Sequence, residues 1–206
     1  MKSISIVVAV GLLAAAAAQA AGGVDTGTPD GNPIGAYALD AVDSYAGEIV
    51  FSESLKVSSV AFHVLGGGAG ESFTVALYDD SAAHAPGNLL YSVSASYVAD
   101  GWNGVAGLTG WAVTPGHYWA AIEVGPSDTL GGGSATGALL DRGVPFPLAR
   151  TAFNAGSGYA LASSAQDFGL RAAAVPEPAT AMMLLGGLGL VGVVSSSCRR
   201  RARGAA

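Results

Sequence analysis

Three histidines, 15 acidic side chains and one cysteine are the groups in this 206-residue chain that could move protons, attack a carbonyl or hold a metal. His63, His84 and His117 stand singly, without the H-x-x-x-H or H-E-x-x-H spacing that sets two imidazoles on one helix face around zinc. Each is read as a surface or strand residue. A serine-hydrolase elbow, G-x-S-x-G, is absent, because Ser127, Ser134 and Ser157 all lack a flanking glycine that the motif needs. A glycosidase needs two carboxylates flanking a cleft, and no spacing among the acids selects a pair. The single cysteine, Cys198, excludes an intramolecular disulfide framework and a cysteine-cluster metal site. The stretch 25–32, with Asp25, Asp30 and Asn32 among glycines and threonines, has the oxygen-rich character of a calcium loop. It lacks the alternate acidic positions and closing Glu of an EF-hand, so it is read as a flexible acidic linker. Asp79 and Asp80 end an alternating stretch and are read as turn starters. No catalytic residue, metal or cofactor is expected.

The aromatic residues are the stronger lead. In 117–124, Tyr118, Ala120, Ile122 and Val124 alternate with His117, Trp119 and Glu123, so the two sets face opposite sides of a strand. Trp102 and Trp111 flank a glycine-containing stretch nearby in sequence. With Trp119 they could form a stacking platform for a ligand, including the apolar face of a sugar ring. The competing reading packs Trp119 against a second sheet or a covering loop. It is preferred, because a sandwich needs large residues and only 8% of the chain is aromatic.

The elements that would position these side chains are strands. Periodicity of two runs through 71–78 (Phe73, Val75, Leu77), 90–97 (Tyr91, Val93, Ala95, Tyr97) and 117–124, and less cleanly through 55–65 and 168–174. Turn signals separate them: the glycine cluster 66–70, Asp79-Asp80-Ser81, Pro86-Gly87-Asn88, Thr114-Pro115-Gly116 and Gly131-Gly132-Gly133. Seven to nine short strands of this kind predict an all-β antiparallel β-sandwich, jelly-roll-like, over 46–174. Residues 21–45 read as an acidic N-terminal segment able to hold a first strand. Half the chain is hydrophobic and 12% is charged, against roughly 25% charged in an average soluble domain, which excludes a disordered chain. Residues 21–174 carry 14 acids, all of the chain's 15 except Glu177, against Lys56, Arg142, Arg150 and Arg171, a net charge of −10. That balance excludes a nucleic-acid partner, which requires a basic stripe.

Both ends of the chain read as targeting segments. In 1–20, Lys2 opens an uncharged run over 4–18, and Ala18-Gln19-Ala20 offers small residues for cleavage between Ala20 and Ala21. This predicts an N-terminal signal helix. The 21 residues 178–198 carry no charge, and nineteen helical residues rise about 28 Å, close to the hydrocarbon thickness of a bilayer. Arg199, Arg200, Arg201 and Arg203 follow at once, so the positive-inside rule predicts a C-terminal transmembrane helix with the arginines cytoplasmic and the body outside. Cys198, at that inner boundary, is thereby kept from the histidines. Gly187, Gly189 and Gly192 match a G-x-G-x-x-G spacing inside the same run, but with no strand before them they are no dinucleotide fingerprint.

Val175, Pro176, Glu177 and Pro178 stand immediately before the apolar run. A Pro-Glu-Pro motif, one apolar helix and a short arginine tail, in that order over 175–203, resemble the PEP-CTERM sorting signal. The resemblance implies a Gram-negative bacterial protein held transiently in the inner membrane. An exosortase-type processing enzyme would then recognise the tail, and the mature protein would join the cell surface or the exopolysaccharide and biofilm matrix. The segments FTVALYDDSAAHAPGNLL (73–90) and PGHYWAAI (115–122) are similar to parts of the β-sandwich ectodomains often attached to this signal. That likeness implies a jelly roll and brings no catalytic residues. The sequence therefore reads as an exported, non-enzymatic surface protein. The alternatives are a carbohydrate-binding module for exopolysaccharide and a secreted hydrolase with an unrecognised carboxylate pair.

Overall fold

The structure is a computed structural model and describes residues 23–30, 35–132, 137–163 and 167–176. The expected signal helix, with Ala20 and Ala21, and the expected transmembrane helix lie outside these residues. Among the described residues there is no helix, and hence none long and apolar enough to cross a membrane. In chain order the strands are β1 (Gly23–Asp25), β2 (Ala36–Leu39), β3 (Asp43–Phe51), β4 (Leu55–Leu65), β5 (Ser72–Asp80), β6 (Pro86–Ser96) and β7 (Gly101–Ala106). There follow β8 (Ala112–Val113), β9 (Gly116–Glu123), β10 (Ala138–Asp141), β11 (Thr151–Ala155), β12 (Tyr159–Leu161) and β13 (Leu170–Pro176).

These strands form two antiparallel sheets. One runs β1-β13-β4-β10-β2, with β7 and β8 also paired to β4; the other runs β12-β11-β3-β9-β5-β6. The acidic N-terminal stretch thus supplies β1 and β2 to the seven-stranded sheet. Alternation explains the packing of the strands that show it. Phe73, Val75 and Leu77 of β5 and Tyr118, Ala120 and Ile122 of β9 enter one buried apolar cluster with Leu55, Val57, Val60, Phe62 and Val64 of β4. Both sheets therefore bury one face in a common core, a β-sandwich-like arrangement. Aromatic rings cross between the layers. Tyr37 of β2 stacks on Tyr45 of β3 at 5.0 Å, and Phe168 meets both Tyr45 and Phe62 with ring centroids 6.4 Å apart.

Two strands depart from simple alternation for visible reasons. In β4 the core-facing set slips phase between Val57 and Val60, where Ser58 and Ser59 are half-buried in succession. In β3 six consecutive residues from Ser44 to Ile49 are buried, because the strand lies inside the six-stranded sheet with both faces covered. Gly47 within it is required by close packing: a Cβ there would lie 2.7 Å from Leu148 Cδ1 and 2.8 Å from Leu170 Cδ2.

Phe62 has no solvent exposure and packs on Phe168. Phe62→Ala is therefore expected to cost about 3–5 kcal/mol in denaturant unfolding, whereas Val98→Ala, at a position 74% exposed, should change stability by less than about 0.5 kcal/mol.

Candidate functional site

The outer face of the six-stranded sheet holds the densest polar construction in the molecule. Strand register puts Ala152 of β11, Ala46 of β3, Ala121 of β9 and Ala76 of β5 in one lateral row. These small side chains make a floor, and with Trp119 they form a second buried cluster against which Tyr78 and Tyr159 pack. Tyr78 comes from β5 and Tyr159 from the far edge strand β12, yet their rings meet edge-on at 5.5 Å. Both phenols donate to Glu123 Oε1, at 2.6 and 2.7 Å. Burial, reinforced by the Glu123 carboxylate, pushes both tyrosine hydroxyls well above their ordinary range, so they remain protonated donors.

Beside this cluster lie two carboxylate–histidine pairs. Trp119 is fully buried and its Nε1–H donates to Asp80 Oδ1 at 2.9 Å, while Asp80 Oδ2 faces His84 Nδ1 at 2.9 Å. One strand away, Glu48 is buried and faces His117 Nδ1 at 2.6 Å, with Arg150 Nη1 donating to the same oxygen at 3.4 Å. Burial alone would raise the Asp80 pKa. The hydrogen bonds from Trp119 and His84 outweigh it and hold the carboxyl below its ordinary 3.8.

A smaller group occupies the outer face of the seven-stranded sheet. His63 of β4 pairs in register with Trp102 of β7, and their rings meet edge-on at 5.2 Å. His63 Nδ1 lies 3.0 Å from Asp141 Oδ2. The contact is an ion-pair one, short of well-formed hydrogen-bond geometry. Burial lowers the His63 pKa more than Asp141 raises it. The Arg171 guanidinium lies over the Trp102 ring at 3.9 Å and donates through Nε to Asp25 Oδ1 at 3.0 Å.

The three tryptophans do not share a surface. Trp119 lies on the outer face of one sheet, fully buried, and Trp102 on the outer face of the other with a cation over its ring. Trp111 belongs to the common core, stacked on Tyr91 at 5.4 Å. The alternation in β9 does point His117, Trp119 and Glu123 away from the core, but the indole is covered there. Of the acidic stretch 25–32, Asp25 binds the Gly27 N–H and Arg171, and Asn32 lies outside the described residues. Val175 and Pro176 end β13, whereas Glu177, Pro178, Arg199, Arg200, Arg201 and Arg203 lie outside the described residues. Sequence spacing missed the histidine pairs, since Glu48 and Asp141 stand 69 and 78 positions from His117 and His63. The i,i+4 spacing of Asp80 and His84 was the one local signal. Among the described residues no group of three or more His, Cys, Asp or Glu side chains is arranged to hold a metal ion.

Residues 174–201 match the PEP-CTERM protein-sorting motif. The motif implies an exported protein, anchored in a membrane during sorting and then passed to the cell surface, and PEP-CTERM proteins in general are exosortase substrates. No curated protein matches the chain.

Because Trp119 is buried, Trp119→Ala should cost about 3–5 kcal/mol in denaturant unfolding. Trp119→Phe removes the hydrogen bond along with part of the ring volume, and only the loss of the hydrogen bond changes the pH slope. The folded pKa of Asp80 lies below its ordinary value of 3.8. Its stabilisation is therefore complete above that value and lost as pH falls through the lower, folded pKa. Stability measured from about pH 5 to pH 2 should fall less steeply in Trp119→Phe and in Asp80→Asn than in the parent.

Proposed function

We propose that this chain is a structural component of the extracellular matrix of a Gram-negative bacterium, a jelly-roll-like β-sandwich that performs no catalysis and is delivered through its C-terminal tail. The observation that carries this reading is the sorting motif at 174–201, whose first residues are the end of β13. The strand order β3-β9-β5-β6, facing β4 and its neighbour β7, supports the jelly-roll comparison. The reactive-looking side chains of the six-stranded sheet are engaged with one another: Glu123 with two tyrosines, Asp80 with Trp119 and His84, Glu48 with His117 and Arg150. Groups committed in this way act as internal fastenings. The −10 charge of 21–174 suits a soluble life beside other anionic matrix polymers such as exopolysaccharide.

The tail is proposed to act in two steps. The apolar run and Arg199, Arg200, Arg201 and Arg203 set retention and orientation, because carrying four arginines through hydrocarbon is far costlier than leaving them behind. Pro176, Glu177 and Pro178 then present an extended backbone, since proline lacks an N–H and resists helix, to an exosortase-type enzyme. A tagged full chain followed by mass and location in the native host tests this. The parent should reach the surface without its C-terminal tail, and Glu177→Ala should insert normally but keep that tail in the membrane. Identical processing of the two, or a parent that keeps its full-length tail, would make the segment an ordinary anchor.

A further inference from the structure

The turn joining β5 to β6 and the start of β9 bring two imidazoles together: the rings of His84 and His117 have centroids 6.5 Å apart. Each ring is fastened from behind through Nδ1, His84 to Asp80 and His117 to Glu48. A neutral imidazole facing an ionised carboxylate through Nδ1 carries its N–H there and its lone pair on Nε2. The side chains of His84 and His117 are 59% and 47% exposed, while those of Asp80 and Glu48 are 14% and 3% exposed. The rings thus stand at the surface and the anchors inside it. A carboxylate that fixes ring tautomer and orientation while leaving the other nitrogen free is the usual support of a metal-ligating histidine.

An independent feature concerns the backbone. His84, at φ 55°, is the single non-glycine residue with positive φ among the described residues. A side chain with a Cβ disfavours that region, yet the turn holds it there through Ser81 N–H to Ala85 O at 3.0 Å and His84 N–H to Ser81 O at 2.9 Å. From this turn the His84 ring reaches Asp80 while remaining largely exposed.

We propose that His84 and His117 bind one borderline transition-metal ion, such as copper(II), nickel(II) or zinc(II), through their Nε2 atoms, with water or an outside ligand completing the coordination. With Nε2–metal bonds of about 2.0–2.1 Å, two rings sharing an ion at a tetrahedral angle have centroids about 5 Å apart, so binding draws the exposed His84 ring toward His117 from the 6.5 Å spacing of the free pair. Imidazole donors select such ions over calcium and magnesium, which require oxygen. Asp80 and Glu48 hold the rings and offset part of the ion's charge, while Arg150 shares Glu48.

The test is calorimetric titration of the full chain, prepared without a polyhistidine tag, with copper(II) and with zinc(II). Cys198 and the chain terminus are present in every variant, so differences between variants report the histidine pair. His84→Asn, chosen because asparagine tolerates positive φ, and His117→Gln should each weaken one equivalent of metal at least tenfold. The double variant should lose that equivalent, and His63→Gln should keep it. Glu48→Gln should weaken the ion about tenfold or more by releasing the His117 ring. Circular dichroism checks that each variant is folded. Should the double variant fail to fold, the electron paramagnetic resonance spectrum of the copper-loaded parent decides, with two coupled imidazole nitrogens expected. Retention of the equivalent by a folded double variant, its loss in His63→Gln, or coupling to fewer than two imidazole nitrogens would overturn the proposal.

Discussion

The burial of Trp119 on the outer face of the six-stranded sheet is the constraint from which much of the surrounding structure follows. An indole without solvent exposure must have its N–H answered inside the protein. Asp80, at the end of β5, answers it. A carboxylate held there needs further donors, and His84 supplies one. His84 reaches Asp80 from the turn after β5, where its backbone adopts a positive φ. The same burial requires neighbours small enough to admit a large ring, and the row Ala152, Ala46, Ala121 and Ala76 provides them. The pairing of β5 with β6 absorbs the local geometry through irregularities on either side of Tyr78.

The acidic side chains follow the same logic elsewhere. In a chain with few charges, the carboxylates serve as acceptors for backbone donors that glycine-rich loops leave free. Asp100 takes the Gly66 N–H, Glu71 takes those of Gly68 and Gly131, and Asp128 takes that of Gly125 together with the Thr74 hydroxyl. Tyr97 also donates to Asp100, and this bond, with the one from Gly66, holds the Asp100 pKa below its ordinary value. Hydrogen bonds to charged acceptors contribute about 1.5–3 kcal/mol each, so a loop held by two of them is far from slack. Glycine here gives turning freedom, and the carboxylates take back the entropy that freedom would cost in the folded state.

The parts of the fold legible in the sequence were those where the two faces of a strand differ in residue type. Strands β5, β6 and β9 show alternation because their core faces carry mostly Phe, Val, Leu, Tyr or Ile and their outer faces mostly small or polar residues, with Trp119 and Tyr78 the large exceptions. Strand β3 was invisible to the same test. Its core-facing row Tyr45, Gly47, Ile49 and Phe51 is interrupted by Gly47, which lies against Leu148 and Leu170, and its outer residues Ala46 and Glu48 are buried too, so neither face stands out by residue type. The orientation of Trp119 could be read from β9, but not its covering, since Tyr159 comes from a strand about forty positions on whose contact depends on sheet order. The tail differed in kind. Its signal is local and linear, and the family match at 174–201 rests on residues adjacent in sequence.

The body must hold together outside the cell without a disulfide between its own residues, because the chain's one cysteine is Cys198. Small extracellular domains commonly answer this with covalent staples, but a body of some 150 residues has a second route. Here the common core accounts for one face of each sheet, and the outer cluster extends burial to the other face of the six-stranded sheet. The polar atoms enclosed by that extra layer would each be costly if unpaired. Glu123, Asp80 and Glu48 each meet two donors, so burial proceeds without that penalty. The outer pairs are therefore the condition under which a glycine-rich, weakly charged chain can bury both sides of a sheet. Histidines fixed for that structural reason retain an unused Nε2 in a ring at the surface, and it is there that a sandwich built for stability acquires the means to bind.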